Sequence, residues 1–157
     1  MPVEIERKFL VIGDAWRDAA IGPALRMRQG YVATSADGMT VRVRLEGDRG
    51  VLTLKGPGLR TRAEFEYAIP VADAEALLAA HCAPPLIEKQ RTRVRHAGLV
   101  WEIDEFAGHL AGLVLAEVEL ADADQAIALP GWVGAEVSDD ARFQNANLAR
   151  ATRIPTL

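Results

Sequence analysis

The chain has 157 residues, half hydrophobic and a quarter charged, a balance that lets one ordinary domain bury a core and excludes a disordered one. Its net charge of −4 gives no overall pull towards nucleic acid or anionic membranes, so a cationic site must be a local concentration of Lys and Arg. The single cysteine, Cys82, excludes an internal disulfide and a cysteine zinc cage, and no run approaches the ~18 apolar residues of a membrane span. The N-terminus lacks the segments of a secretory leader, and its first motif begins at residue 4, so a cytoplasmic protein is expected.

The chain opens with a strand pattern. Glu4, Glu6 and Lys8 fall two residues apart, so in an extended segment they share one face at roughly 7 Å spacing. Val3, Ile5 and Phe9 take the other face. Two carboxylates so placed can share a divalent cation, with the ammonium one step further on. Asp14–Ala20 is a short helix candidate, and Leu25–Thr34 reads as the next strand. Asp37-Gly38 turns into Met39–Glu46, where Val41, Val43 and Leu45 alternate with Arg42 and Arg44. Gly47-Asp48-Arg49-Gly50 has hairpin composition and leads into Val51–Lys55, with Thr53 and Lys55 on one face. After the break at Gly56-Pro57-Gly58, Arg62, Glu64 and Glu66 alternate with Ala63, Phe65 and Tyr67.

Val71–Cys82 is the clearest helix, with Asp73 as its expected N-cap and Pro84-Pro85 ending it. Strands resume at Leu86–His96, where Lys89, Arg91, Arg93 and Arg95 take every second position. His96-Ala97-Gly98 turns into Leu99–Phe106, with Glu102 and Asp104 alternating with Trp101 and Ile103. Leu113–Leu120 sets Glu117 and Glu119 against Ala116, Val118 and Leu120. The Ser138-Asp139-Asp140 cap region predicts a last helix over Arg142–Arg150. No repeat or linker interrupts the series, so a single domain over residues 1–157 is expected.

Nearly every strand therefore carries charge on one face and Val, Ile, Leu, Phe or Trp on the other. Two architectures satisfy this pattern. In a sandwich the apolar faces form the core and the charges meet water; in a barrel with its charged face inward, helices and loops must cover an apolar exterior. Three details favour the barrel. Glu and Lys are poor strand formers, Arg42/Arg44 and Lys89/Arg91 place like charges two apart, and the apolar helices need a surface to cover. Such an interior makes sense when a polyanion and divalent ions complete it. Arg7, Arg26 and Arg28 depart from a clean apolar-out pattern.

Nine ordered segments resemble the CYTH superfamily, the triphosphate tunnel metalloenzymes. They are the ExExK run at Glu4, Glu6 and Lys8, then Gln29-Gly30-Tyr31, Arg42-Val43-Arg44, Thr53-Leu54-Lys55, Arg62 to Glu66, Lys89-Gln90-Arg91, Trp101 to Asp104, Glu117-Val118-Glu119 and Asp140 to Asn145. ExExK alone is a weak signal, and its specificity comes from the other eight. The resemblance implies an α+β, mainly β fold, a closed eight-stranded antiparallel β-barrel with flanking helices. It also implies triphosphate hydrolysis with Mg²⁺ or Mn²⁺, most like bacterial inorganic triphosphatases.

On that resemblance and on charge, Arg42, Arg44, Lys55, Arg62, Lys89 and Arg91 are expected to bind phosphate, guanidinium forks matching its oxygens. Glu4, Glu6 and Glu119, with Glu117 beside them, are the expected metal ligands, and Glu64, Glu66, Glu102 and Asp104 support them. Lys8, with an ammonium pKa expected to be depressed by neighbouring cations, and Tyr31 form an expected catalytic pair. A small polyanion is the expected partner, with no nucleic acid or membrane, and the oligomeric state is left open. Nucleoside or thiamine triphosphatase, class IV adenylate cyclase and a non-catalytic polyphosphate or RNA binder are the competing readings. His81, His96 and His109 are too scattered for a metal cluster, and Trp16, Trp101 and Trp132 read as packing residues.

Overall fold

A computed structural model describes residues 2–157. Its strands are β1 (Val3–Val11), β2 (Leu25–Thr34), β3 (Thr40–Glu46), β4 (Arg49–Lys55), β5 (Thr61–Ile69), β6 (Ile87–His96), β7 (Leu99–Phe106), β8 (Val114–Glu119) and β9 (Val133–Glu136). All pairings are antiparallel, in the order β5-β4-β3-β2-β6-β7-β8-β1. β1 returns to β5 through Val3↔Ala63, Glu4↔Arg62 and Ile5↔Thr61, closing eight strands into the expected barrel. β9, which the alternation did not reveal, lies outside the ring and pairs with Phe9 and Val11 beyond the point where β5 leaves β1.

Local chemistry sets the hairpins. Glu46↔Arg49 flank a two-residue turn of Gly47-Asp48, with Gly47 at φ +58°, so β4 starts two residues earlier than its apolar run suggests. His96↔Leu99 flank Ala97-Gly98, where both residues have positive φ (48° and 80°), the mirror-image turn that matches strand twist. A register shift between Tyr31 and Ala33 against β3 marks a bulge that bends β2 just past Tyr31.

The helices are shorter than periodicity suggests. α1 spans Val71–Ala80, and Pro70, not Asp73, stands at its N-cap without a side-chain cap; Asp73 lies in the first turn, where it complements the helix dipole. The Asp14–Ala20 candidate is a 3-10 helix over Ala15–Ala19. The expected Arg142–Arg150 helix is a 3-10 turn, Ala141–Phe143, followed by α2 (Asn145–Leu148). Asp140 does cap, accepting from the Arg142 N–H, but Gln144 is extended and the Phe143 carbonyl accepts from the Lys8 ammonium, which breaks the longer helix.

The barrel is apolar outside and charged inside. α1 lays Ala74 and Leu78 on Val43, Leu45 and Cys82, which behaves as a small buried hydrophobe. Trp16 and Trp132 cover Phe9, Val94, Trp101, Ile103 and Val118 on the opposite outer wall, and the Trp101 and Trp132 rings meet edge to face at 5.5 Å. Arg7 is accommodated outside by Glu136 (2.8 Å) and by the Phe9 ring, and Arg28 faces Glu88 at 4.0 Å. Inside, one end of the barrel turns apolar: Leu10, Ile87, Phe106 and Leu115 meet Phe143 and Leu148 and form a plug.

Candidate active site

Alternation brings the inward side chains of all eight barrel strands around a cavity of about 620 Å³. It is lined by Glu4, Glu6, Tyr31, Arg42, Arg44, Lys55, Arg62, Glu64, Glu66, Arg91, Glu102, Glu117 and Glu119. Lys8, Lys89 and Asp104 do not line it. They lie a layer deeper, all nearly inaccessible, between the cavity and the plug.

Most of the cations are held by carboxylates. The Lys55 ammonium bridges Glu4 (2.7 Å) and Glu64 (3.0 Å), and Arg62 reaches Glu6 at 3.3 Å. Arg91 forks onto Asp104 through Nε and Nη2 (2.7 and 2.8 Å) and reaches Glu102 at 3.1 Å. Lys89 donates to the same Asp104 at 2.7 Å and to Asn145 at 3.4 Å. Arg44 is paired with Glu46 and lies 3.8 Å from Glu66. Arg42 differs: its guanidinium has only the Thr53 hydroxyl, at 3.2 Å, and among the described residues no carboxylate lies within 4.0 Å of it.

These surroundings move the titrations. Burial pushes the Lys89 ammonium down to about 8, more than Asp104 offsets. Burial alone raises the Asp104 carboxyl, but Arg91 and Lys89 outweigh it and hold that group at about 2. Burial, then the neighbouring Glu117 charge, lifts Glu6 to about 8. Burial also disfavours the Glu117 charge, yet Lys8 and Arg91 outweigh it and hold its carboxyl well below the usual range. The expectation for Lys8 is corrected: burial works to lower its ammonium, but Glu117 at 3.3 Å and Glu6 outweigh that, and the group is raised. Lys8 and Tyr31 are not hydrogen-bonded; Lys8 Nζ is taken by Glu117 and the Phe143 carbonyl (3.1 Å), whereas Tyr31 stands beside Arg42 across the β2–β3 pair.

Several lining residues went unread in the sequence. Glu46 shares the parity of Arg42 and Arg44, which is the signal that could have found it. Arg49 lines the cavity towards solvent beside Arg93, whose place in the Lys89/Arg91 alternation the sequence did show, and Ile21, Pro23, Leu25 and Met27 form an apolar lip on one side. Asn145, the last residue of the Asp140 to Asn145 segment, reaches the cavity from α2, although alternation gave it no role there.

The acidic set suits a hard divalent cation by its chemistry. Register sets Glu6 opposite Glu119, with Glu4 on the same face, and Glu119 is raised by burial and then by Glu4, Glu64 and Glu102. A divalent cation relieves that mutual repulsion with oxygen ligands of the type it prefers. Among the described residues no three acidic, His or Cys groups already converge on one point, because Glu4, Glu6 and Glu117 are turned to Lys55, Arg62 and Lys8.

The likeness to known proteins runs along almost the whole chain. Residues 2–152 match the CYTH domain. An inorganic triphosphatase of Acetivibrio thermocellus is 44% identical over 96% of this chain and 95% of its own. One of Nitrosomonas europaea is 40% identical, covering 93% and 96%. A crystal structure of an inorganic triphosphatase, 38% identical and covering 99% of both chains, superposes with a TM-score of 0.68. A closed barrel with its charges turned inward, matched over this length, makes the chain a member of the CYTH domain family.

Proposed function

We propose that the chain hydrolyses inorganic tripolyphosphate to pyrophosphate and orthophosphate inside the barrel, acting as one domain in the cytoplasm and dependent on Mg²⁺ or Mn²⁺. The observation that carries the reading is Arg42, a buried guanidinium lining the cavity without a carboxylate partner. A buried cation left uncompensated is costly, and a bound phosphate removes that cost. Arg44, Lys55, Arg62 and Arg91 stand around the same space, so a chain of phosphates can exchange their carboxylates for its own oxygens. An eight-stranded barrel interior has room for a small ligand and not for a nucleic-acid strand with its bases. No helix among the described residues is long and apolar enough to cross a membrane.

CYTH triphosphatases are metal-dependent as a class. Glu4, Glu6, Glu119 and Glu117 are the residues that would hold the ion, and when bound it neutralises phosphate charge and polarises the attacking water. The chain's own residues do the positioning. Arg42, Arg44 and Arg91 align the phosphates for in-line attack, and Lys55 and Arg62 add their charge by exchanging Glu4 and Glu6 for phosphate oxygens. Lys8, raised and protonated at neutral pH, is a fixed charge for the transferred phosphoryl or the leaving group and not a base. Lys89 and Asp104 act from beneath by fixing Arg91. Tyr31 offers a phenol to the phosphates from the wall beside Arg42.

The apolar lip favours a second reading, a triphosphate that carries an organic group, although among the described residues Tyr31 is the sole aromatic side chain lining the cavity. Phosphate release from tripolyphosphate, ATP and thiamine triphosphate with Mg²⁺, Mn²⁺ or EDTA separates the readings. We expect tripolyphosphate to be hydrolysed fastest and EDTA to abolish release. Release that is indifferent to EDTA defeats the metal assignment, and faster turnover of an esterified triphosphate transfers the case to the second reading.

A further inference from the structure

Between Met27 and Tyr31 on the inner face of β2, Gln29 is completely buried, and neither its amide nitrogen nor its amide oxygen has a hydrogen-bond partner. The β2–β3 register places it directly opposite Arg44, with Tyr31 opposite Arg42. The Nε atoms of Arg42 and Arg44 are also buried and partnerless. Facing residues of an antiparallel pair have Cβ atoms about 5 Å apart. Arginine Nε and the glutamine amide atoms each stand three bonds beyond Cβ, so the amide and the Arg44 Nε–H can reach the same height above the sheet. The tip of Arg44 is meanwhile turned to Glu46 and Glu66. Unsatisfied buried amides are uncommon and destabilising, and here two donor types and an acceptor are left unmatched side by side.

We propose that Gln29 is a positioning residue for the tunnel arginines, its amide oxygen accepting the Arg44 Nε–H when that guanidinium leaves its carboxylates for phosphate. A guanidinium is planar, so fixing Nε fixes the direction of both Nη groups and hence the fork offered to the anion. The ligand-free protein carries the unmatched amide, and the phosphate-bound protein uses it. This inference rests on the triphosphate reading.

Gln29→Met tests it, because Met is unbranched, similar in length and free of strong hydrogen-bonding groups. We expect the ligand-free variant to melt at a higher temperature than wild type. Its KM for tripolyphosphate should rise about tenfold, the weight of one hydrogen bond to a charged group. In ¹⁵N NMR at saturating tripolyphosphate the Arg44 Nε–H resonance should move further in wild type, where it gains the amide acceptor, than in Q29M. Gln29→Glu is the second variant: a carboxylate opposite Arg44 pairs with it in the free protein, so stability should rise and KM should rise further. Wild-type KM in either variant, or lowered melting temperature with a loss confined to kcat, overturns the inference alone. A wild-type protein that neither binds nor hydrolyses tripolyphosphate overturns the functional reading and this inference with it.

Discussion

Two inward arginines, Arg91 and Arg42, behave differently because of what each side chain meets across the strand ladder. Arg91 is locked to Asp104, with Lys89 on the same carboxylate, whereas Arg42 has a hydroxyl alone. Arg42→Ala should therefore leave chemical stability close to wild type while kcat/KM for tripolyphosphate falls about a hundredfold, the loss of a charge-assisted contact. Steady-state kinetics beside urea unfolding checks both halves. Asp104→Asn should do the reverse first: it strands Lys89 and Arg91 as buried cations and should lower unfolding free energy by about 3–5 kcal/mol. A fall below 1 kcal/mol would show that the triad is dispensable to the fold. The alternation of residues 87–95 was legible in the sequence, but which rungs face the cavity and which are spent on one another was not. Lys89 and Arg91 have the same parity, and only the depth of the plug behind Lys89 separates them.

At the level of elements, strand periods and turn residues were readable because they are local. The Ala97-Gly98 turn is an example, and it also carries a cost: Ala97 is the one non-glycine residue with positive φ among those described. Ala97→Gly or Ala97→Asn should stabilise the protein by about 1 kcal/mol, read as a higher melting temperature, since either residue adopts that conformation with less strain. β9 escaped notice because Val133–Glu136 is too short to show a period and is specified by what it docks on. Its Glu136 accepts from Arg7 (2.9 and 2.8 Å) and from Ser138 (2.7 Å), and Arg60 lies at 3.0 Å. The Arg7 hydrogen bonds above all hold that carboxyl at about 2, below its ordinary 4.5. Because the folded value is the lower one, the stabilisation is complete above about 4.5 and is lost as pH falls towards about 2. Glu136→Gln should thus lose about 1 kcal/mol at neutral pH and show a shallower decline through that acid window in pH-dependent unfolding. Parallel curves for the two proteins would remove Glu136 from the acid response.

For the whole molecule, the charged interior and the apolar exterior form one design: a barrel whose inner cations are balanced by its own carboxylates until a polyanion arrives. Binding to the folded state alone stabilises it by mass action, about 2.7 kcal/mol at a ligand concentration one hundred times Kd. Thermal melts should rise with tripolyphosphate in the presence of Mg²⁺. The rise should shrink in EDTA, where Glu6 and Glu119 again face the anion. An equal rise with and without the ion would mean that the carboxylates take no part in binding.

By itself the sequence determined the two-residue alternation of charge, the turns between strands and the set of inward residues, since parity and turn chemistry are carried by neighbours along the chain. Alternation by itself fits both sandwich and barrel; the poor strand formers, the like-charge pairs and the apolar helices favoured the barrel, and family likeness implied it. The tertiary structure alone decided the closure of β1 onto β5, the apolar plug from Phe143 and Leu148, the bulge past Tyr31 and the raised ammonium of Lys8. Each depends on pairing or packing between side chains and strands that are not neighbours along the chain, as in the Lys8 contact with the Phe143 carbonyl. Burial, pairing and titration are set by those distant neighbours, and no local spacing encodes them.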